Sequence, residues 1–167
     1  MQLNILKKKK ESSMEEIVNK LIKLNKTISA MESCTGGLVT STLTNIKHDD
    51  DVFRFSAVTY SNDFKIKMGV SEDVINIFGV YSMETANEMS QKIAEFTNSD
   101  YGIGITGKLN DKDKKSRKDN TVYISIYDRS NQKFYNEVTQ VFEEGRANNK
   151  EVVVNEIIKL LKGILDC

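Results

Sequence analysis

An α/β fold, a three-layer α/β/α sandwich with a mixed β-sheet, is what the order of hydrophobic patterns in this chain predicts. Over the first two thirds, short β-rich runs alternate with amphipathic helical stretches, the pattern of parallel strands joined by helical crossovers. The last third reads as two adjacent strands and a closing helix, which adds an antiparallel hairpin to the same sheet. A length of 167 residues suits one hydrophobic core. We therefore expect a flexible N-terminal tail over 1–12 and a single domain over 13–167.

The elements follow in order. Lys7 to Lys10 form a basic run, expected to be a solvated part of the tail. "SSMEEIVNKLIKLNK" reads as a helix, with Ser13 and Glu16 at capping-box spacing and Met14, Ile17, Val18, Leu21 and Ile22 on one face. "TISAM" is a short buried strand. "ESCTGGLVTSTLTNI" turns from strand to helix, with Thr35 placed to cap it and Val39, Leu43 and Ile46 facing inward. "VFRFSAVTY" has the β-branched and aromatic content of a strand. "SNDFKIKMG" then makes a short helix capped by Ser61 and closed by Gly69. "SEDVINIFG" and "SMETANEMSQKIAEFTNS" give two more helices, the second burying Ala86, Met89, Ile93 and either Ala94 or Phe96. "YGIGITG" is a strand of small residues, "NTVYISIYD" and "KFYNEVTQVF" pair across "RSNQ", and "RANNKEVVVNEIIKLLKGIL" closes the domain as a helix.

Composition narrows the function classes. The 24 basic and 24 acidic side chains cancel, so no net field draws nucleic acid or an anionic membrane. No apolar run approaches the roughly 20 residues of a membrane span, and the first residues lack a signal-peptide core, so a cytoplasmic protein is expected. Two cysteines, Cys34 and Cys167, are too few for a disulfide framework or a thiolate cage and are expected as thiols. His48 beside Asp49, Asp50 and Asp51 reads as a solvated acidic loop rather than a metal site, because adjacent residues rarely converge on one ion.

Chemistry concentrates in two places. "ESCTGG" sets small polar side chains and backbone donors at a helix start, with glycines that allow close approach, so Ser33, Thr35 and Gly36 are candidate ligand contacts. A capped helix with tight packing explains the same residues equally well. "TYSNDFK" places Tyr60 and Lys65 at a strand-to-helix junction, where a desolvated lysine can act as a base and a tyrosine hydroxyl can relay a proton or donate to an oxyanion.

Three segments in this order and spacing, "ESCTGGLVTSTLTNI", "VTYSNDFKIKMGV" with "GVYSMETANEMSQ", and "GIGITG" with "TVYISI", resemble the C-terminal domain of the CinA family over roughly Met14 to Leu165. Standalone versions of that domain are nicotinamide mononucleotide amidohydrolases, which release ammonia and nicotinic acid mononucleotide. The resemblance implies a pyridine-nucleotide ligand, no cofactor and a homodimer. It also implies that Tyr60 and Lys65 assist a serine nucleophile from a Gly-Ser-Ser stretch. Thr106 and Gly107 in "ITG", and Arg146 in "EEGRAN", match ligand-contacting positions. A guanidinium there suits a phosphate.

Counting back from Tyr60 and Lys65 without a gap, the nucleophile position falls on Asp50. A carboxylate lacks the proton a lysine base would remove, and its attack on an amide would create an anhydride. An Asp50–Lys65 ion pair would also keep the lysine protonated. The expectation is thus a catalytically impaired domain that binds a nucleotide or a partner chain. The alternative is an active amidohydrolase using a water oriented by Asp50, or a relocated serine among Ser33, Ser56 and Ser61. A further departure is "GKLNDKDKKSRKDNT", a charged loop where the family has Gly-Pro-Asp-Gly-Gly.

Overall fold

The computed structural model describes residues 2–109, 120–142 and 145–166. Five strands form one sheet in the order β2-β1-β3-β4-β5: β1 is Ile28–Glu32, β2 Phe53–Val58, β3 Tyr101–Gly107, β4 Thr121–Asp128 and β5 Lys133–Gln140. β1 is parallel to β2 and β3, while β4 and β5 each run antiparallel to the preceding strand. The sheet is mixed, as the patterns predict.

Among the described residues six α-helices cover it: α1 Gln2–Leu24, α2 Leu38–Thr44, α3 Asn62–Lys67, α4 Glu72–Phe78, α5 Met83–Thr97 and α6 Arg146–Leu165. One face of the sheet buries Ile28, Ile103, Ile105 and Ile124 against Met14, Ile17 and Leu21 of α1, Val39 and Leu43 of α2, and Val153 and Ile157 of α6. The other face buries Met31 with Ile75 of α4 and Met89 and Ile93 of α5. These are the three expected layers. A salt bridge from Lys162 to Glu16 ties α6 to α1 at the surface.

Helix α5 lies directly on β3 because Gly102 and Gly104 face it. A Cβ on Gly102 would stand 2.0 Å from the Ser90 carbonyl oxygen, and one on Gly104 would stand 2.3 Å from that of Ala86. No larger residue fits that gap. Ala94 takes the inward place on α5, and Phe96 is left 68% exposed against Phe55, with ring centroids 5.8 Å apart. The register between β1 and β2 slips by one residue between Ile28 and Ala30. That bulge lets Phe55 meet α5 while Ser56 next to it reaches Thr40 of α2 on the opposite face.

Caps at Ser61, Ser71 and Ser82 accept from the N–H groups of Phe64, Val74 and Thr85. Two local expectations change. Helix α1 starts at Gln2, so residues 2–12 are helical and Ser13 lies inside the helix rather than at its cap. "LKKKKESS" contains no glycine or proline to break the helix, and lysine is a good helix former. At α2 the cap residue is Gly37, with no side-chain cap of its own; Thr35 donates to Glu32 instead.

Candidate active site

In a parallel sheet, ligands bind beyond the carboxyl ends of the strands, where neighbouring connections leave toward opposite faces. Here β1 leads into α2 on one face, and α5 covers the other. The loops after β1, β2 and β3 surround a cleft of about 240 Å³ lined by Ser33, Cys34, Tyr60, Asn62, Lys65, Val80, Tyr81, Gly107, Lys108, Leu109 and Arg146.

Lys65 is the centre of this cleft. Helix α3 carries it back under the end of β2, where it is only 1% exposed. Its Nζ lies 3.1 Å from Ser33 Oγ and 2.6 Å from the carbonyl oxygen of Thr59. Burial holds its pKa below the ordinary 10.5. No carboxylate pairs with it among the described residues. The amine donates to the Ser33 hydroxyl and to the Thr59 carbonyl, and in its deprotonated form it can instead offer its lone pair to the Ser33 hydroxyl. That is the geometry of a serine-lysine nucleophile pair. Burial pushes the Cys34 thiol up to about 12, which disfavours the thiolate a cysteine nucleophile needs.

Glu32 fixes the turn that carries Ser33. Its carboxylate is fully buried and accepts from Thr35 Oγ1, Gly37 N and Val39 N through one oxygen and from Thr40 N and Thr40 Oγ1 through the other. The first N–H groups of α2 are thus satisfied from the strand end rather than from the residue before the helix. Gly36 and Gly37 take φ of 63° and 93°, which lets the chain fold tightly around that carboxylate.

Other candidate residues divide between the cleft and its surroundings. Tyr60 lines the cleft as a residue 68% exposed, and Gly107 forms part of the wall. Arg146 sits at the same mouth, its guanidinium donating to the Leu109 carbonyl at 2.6 Å. Thr106 does not line the cleft. Its buried hydroxyl donates to the Val80 carbonyl at 2.8 Å and so positions the segment that brings Tyr81 to the site. Thr35 and Gly36 line a separate groove between α2 and α6, where Lys150 Nζ closes on Gly36.

Asp50 is not where its alignment with Lys65 suggests. It is exposed in a 3-10 turn, Asp49–Asp51, before β2, whereas Tyr60 and Lys65 follow the far end of that strand. Six residues of strand span about 20 Å, so within one chain the expected Asp50–Lys65 ion pair is replaced by the contacts to Ser33 and Thr59. Ungapped counting along the "TYSNDFK" segment could not reveal that Lys65 turns back toward β1. Glu32, Asn62, Tyr81 and Lys108 also belong to the site and carry no separate motif. The one available signal for Glu32 was a carboxylate at a strand end five residues before a glycine that begins a helix. Residues 110–119 of the charged loop lie outside the described residues, as does Cys167.

The sequence profile of the CinA C-terminal domain matches residues 10–165. The chain belongs to the CinA family. A CinA-like protein from Kosmotoga olearia is 46% identical over 99 residues, 58% of this chain and 24% of that protein. A protein from Clostridium kluyveri, described as competence-damage inducible, is 40% identical over 119 residues, 70% of this chain and 29% of that protein. The chain thus spans about a quarter of the length of the curated relatives it matches. Among solved structures, a CinA superfamily protein from Escherichia coli superposes with a TM-score of 0.83 at 21% identity, covering 91% of this chain and 88% of the other. The competence/damage inducible protein CihA from Agrobacterium tumefaciens gives 0.81 at 26%, covering 93% and 96%. The α/β architecture of this CinA domain is therefore the family's own. Among its described residues no helix is long and apolar enough to cross a membrane.

Proposed function

We propose that this CinA domain is an active amidohydrolase acting on a pyridine nucleotide of the nicotinamide mononucleotide type, with Ser33 as nucleophile and Lys65 as general base. One observation carries the reading: a fully buried lysine, with no carboxylate partner among the described residues, sits 3.1 Å from a serine hydroxyl in a cleft. Ser33 Oγ attacks the carboxamide carbon as its proton passes to Lys65 Nζ. The tetrahedral intermediate then expels ammonia, which takes that proton from Lys65, and leaves an ester on Ser33. A water activated by the same amine hydrolyses the ester and restores the serine.

The cleft's mouth suits the rest of such a substrate. Arg146 and Lys108 offer positive charge to a phosphate. The faces of Tyr60 and Tyr81 favour a cationic aromatic ring. Tyr81 already holds the Lys108 ammonium 5.3 Å from its ring centroid. A silent binding module was expected from Asp50 at the nucleophile position and from the charged loop after β3; the serine hydroxyl beside Lys65 favours the active reading over it. A homodimer remains part of the proposal, with the half-exposed Val138 and Phe142 of the hairpin region as its contact surface.

Ammonia release from nicotinamide mononucleotide tests the reading. We expect turnover by the wild type and a loss of about 1,000-fold or more in Ser33→Ala. A wild type that releases no ammonia yet binds the nucleotide in calorimetry would establish the binding module instead.

A further inference from the structure

We propose that Glu32 is a positioning residue that sets the Ser33–Lys65 distance, an inference that rests on the amidohydrolase reading and deepens it. The residue acts on both members of the pair. Its carboxylate collects two donors of the "ESCTGG" turn and three from the first turn of α2, which fixes the backbone of Ser33 next to it. Its own carbonyl accepts the Thr59 N–H at 2.8 Å, and the Thr59 carbonyl in turn holds Lys65 Nζ at 2.6 Å. One residue thus ties the serine's turn to the lysine's anchor.

The donors facing Glu32 demand an acceptor at both oxygens. Thr40 Oγ1 lies 2.5 Å from Glu32 Oε1 and 2.6 Å from Ser56 Oγ. With a single proton, it donates to the carboxylate and accepts from Ser56. An amide at this place keeps the volume but turns one acceptor into a donor. It then opposes either the Thr40 N–H or the N–H groups of Gly37 and Val39, which cannot turn away as the threonine hydroxyls can. The turn must open on that side. Displacing a nucleophile by about 1 Å costs on the order of 100-fold in rate.

The test uses a fluorophosphonate probe alongside ammonia release. In the labelling step Ser33 Oγ forms a bond to phosphorus, fluoride leaves, and the hydroxyl proton passes to Lys65. Folded Glu32→Gln, verified by its melting curve, should label Ser33 about 100-fold more slowly. Its kcat on nicotinamide mononucleotide should fall similarly, with KM within about threefold of wild type. KM holds because Tyr60, Tyr81 and Arg146 stand on other segments. A purely structural role would lower the melting temperature and leave labelling and kcat of the folded protein unchanged, which would overturn the proposal. If Glu32→Gln does not fold, Thr40→Val removes one donor while keeping shape and should show a smaller slowing of both rates; wild-type rates there would equally overturn it. A wild-type Ser33 that neither labels nor turns over substrate removes the amidohydrolase reading itself. Equal labelling in wild type and variant removes only the role of Glu32.

Discussion

Replacing Lys65 by methionine separates the two roles this side chain plays. Methionine fills similar space without the amine, so Ser33 loses the base proposed for it and the Thr59 carbonyl, in a residue only 2% exposed, loses its donor. Loss of general-base assistance costs about 100- to 10,000-fold in kcat. The unpaired carbonyl costs about 1–3 kcal/mol of stability. Against that stands the desolvation of the amine, which lowers its pKa from 10.5 in the folded state. A base with a depressed folded pKa binds fewer protons folded than unfolded, so its contribution to stability is fully present above pH 10.5 and lost as the pH falls through the folded value. Each unit of depression is about 1.4 kcal/mol.

The variant should therefore be less stable than wild type at pH 10.5 by the hydrogen-bond loss. That deficit should shrink, or reverse, toward neutral pH. Urea unfolding of both proteins across pH 6 to 10.5 reads the difference directly, because the other titrating groups cancel between them. A difference that does not change with pH would falsify the claim that burial lowers the pKa of Lys65 in the folded protein.

Three further outcomes follow from the same geometry. Gly104→Ala should destabilise the domain by about 3 kcal/mol, seen as a lower melting temperature, because its methyl would stand 2.3 Å from the Ala86 carbonyl and 2.5 Å from Ser90 N. Cys34 should resist iodoacetamide in the folded protein at pH 8. With its thiol pushed by burial to about 12, roughly one molecule in 10,000 carries the thiolate, and rapid alkylation of Cys34 mapped by mass spectrometry would contradict this. For Asp100, burial raises the carboxyl pKa, but hydrogen bonds from Lys26 and Thr27 outweigh it and leave the value below 3.8. Its contribution is present above pH 3.8 and lost as the pH falls through the lower folded value. The stability gap between wild type and Asp100→Asn should therefore close on acidification from pH 5 to 2, and a constant gap would refute the assignment.

The fold was legible because its signals are local and periodic. The serine caps of α3, α4 and α5, the apolar faces of α1 and α5 and the β-rich runs each depend on neighbours a few residues away. The start of α1 was missed because a basic run was read as solvated tail, although nothing in it stops a helix. The site was legible in its members but not in their pairing. Ser33 and Lys65 belong to different segments 32 residues apart, and only the return of α3 beneath the sheet brings them together. Linear spacing from Tyr60 therefore pointed to Asp50, at the opposite end of β2. Thr106 was a plausible ligand contact by position, yet its place on β3 turns its hydroxyl to the Val80 backbone.

Acid-quenched reaction with nicotinamide mononucleotide, followed by peptide mapping of the trapped acyl-enzyme, tests the central claim most directly. The account predicts an ester on the Ser33 peptide, absent in Ser33→Ala and strongly reduced in Lys65→Met. An adduct on the peptide containing Asp50, or full turnover by Ser33→Ala, would contradict it.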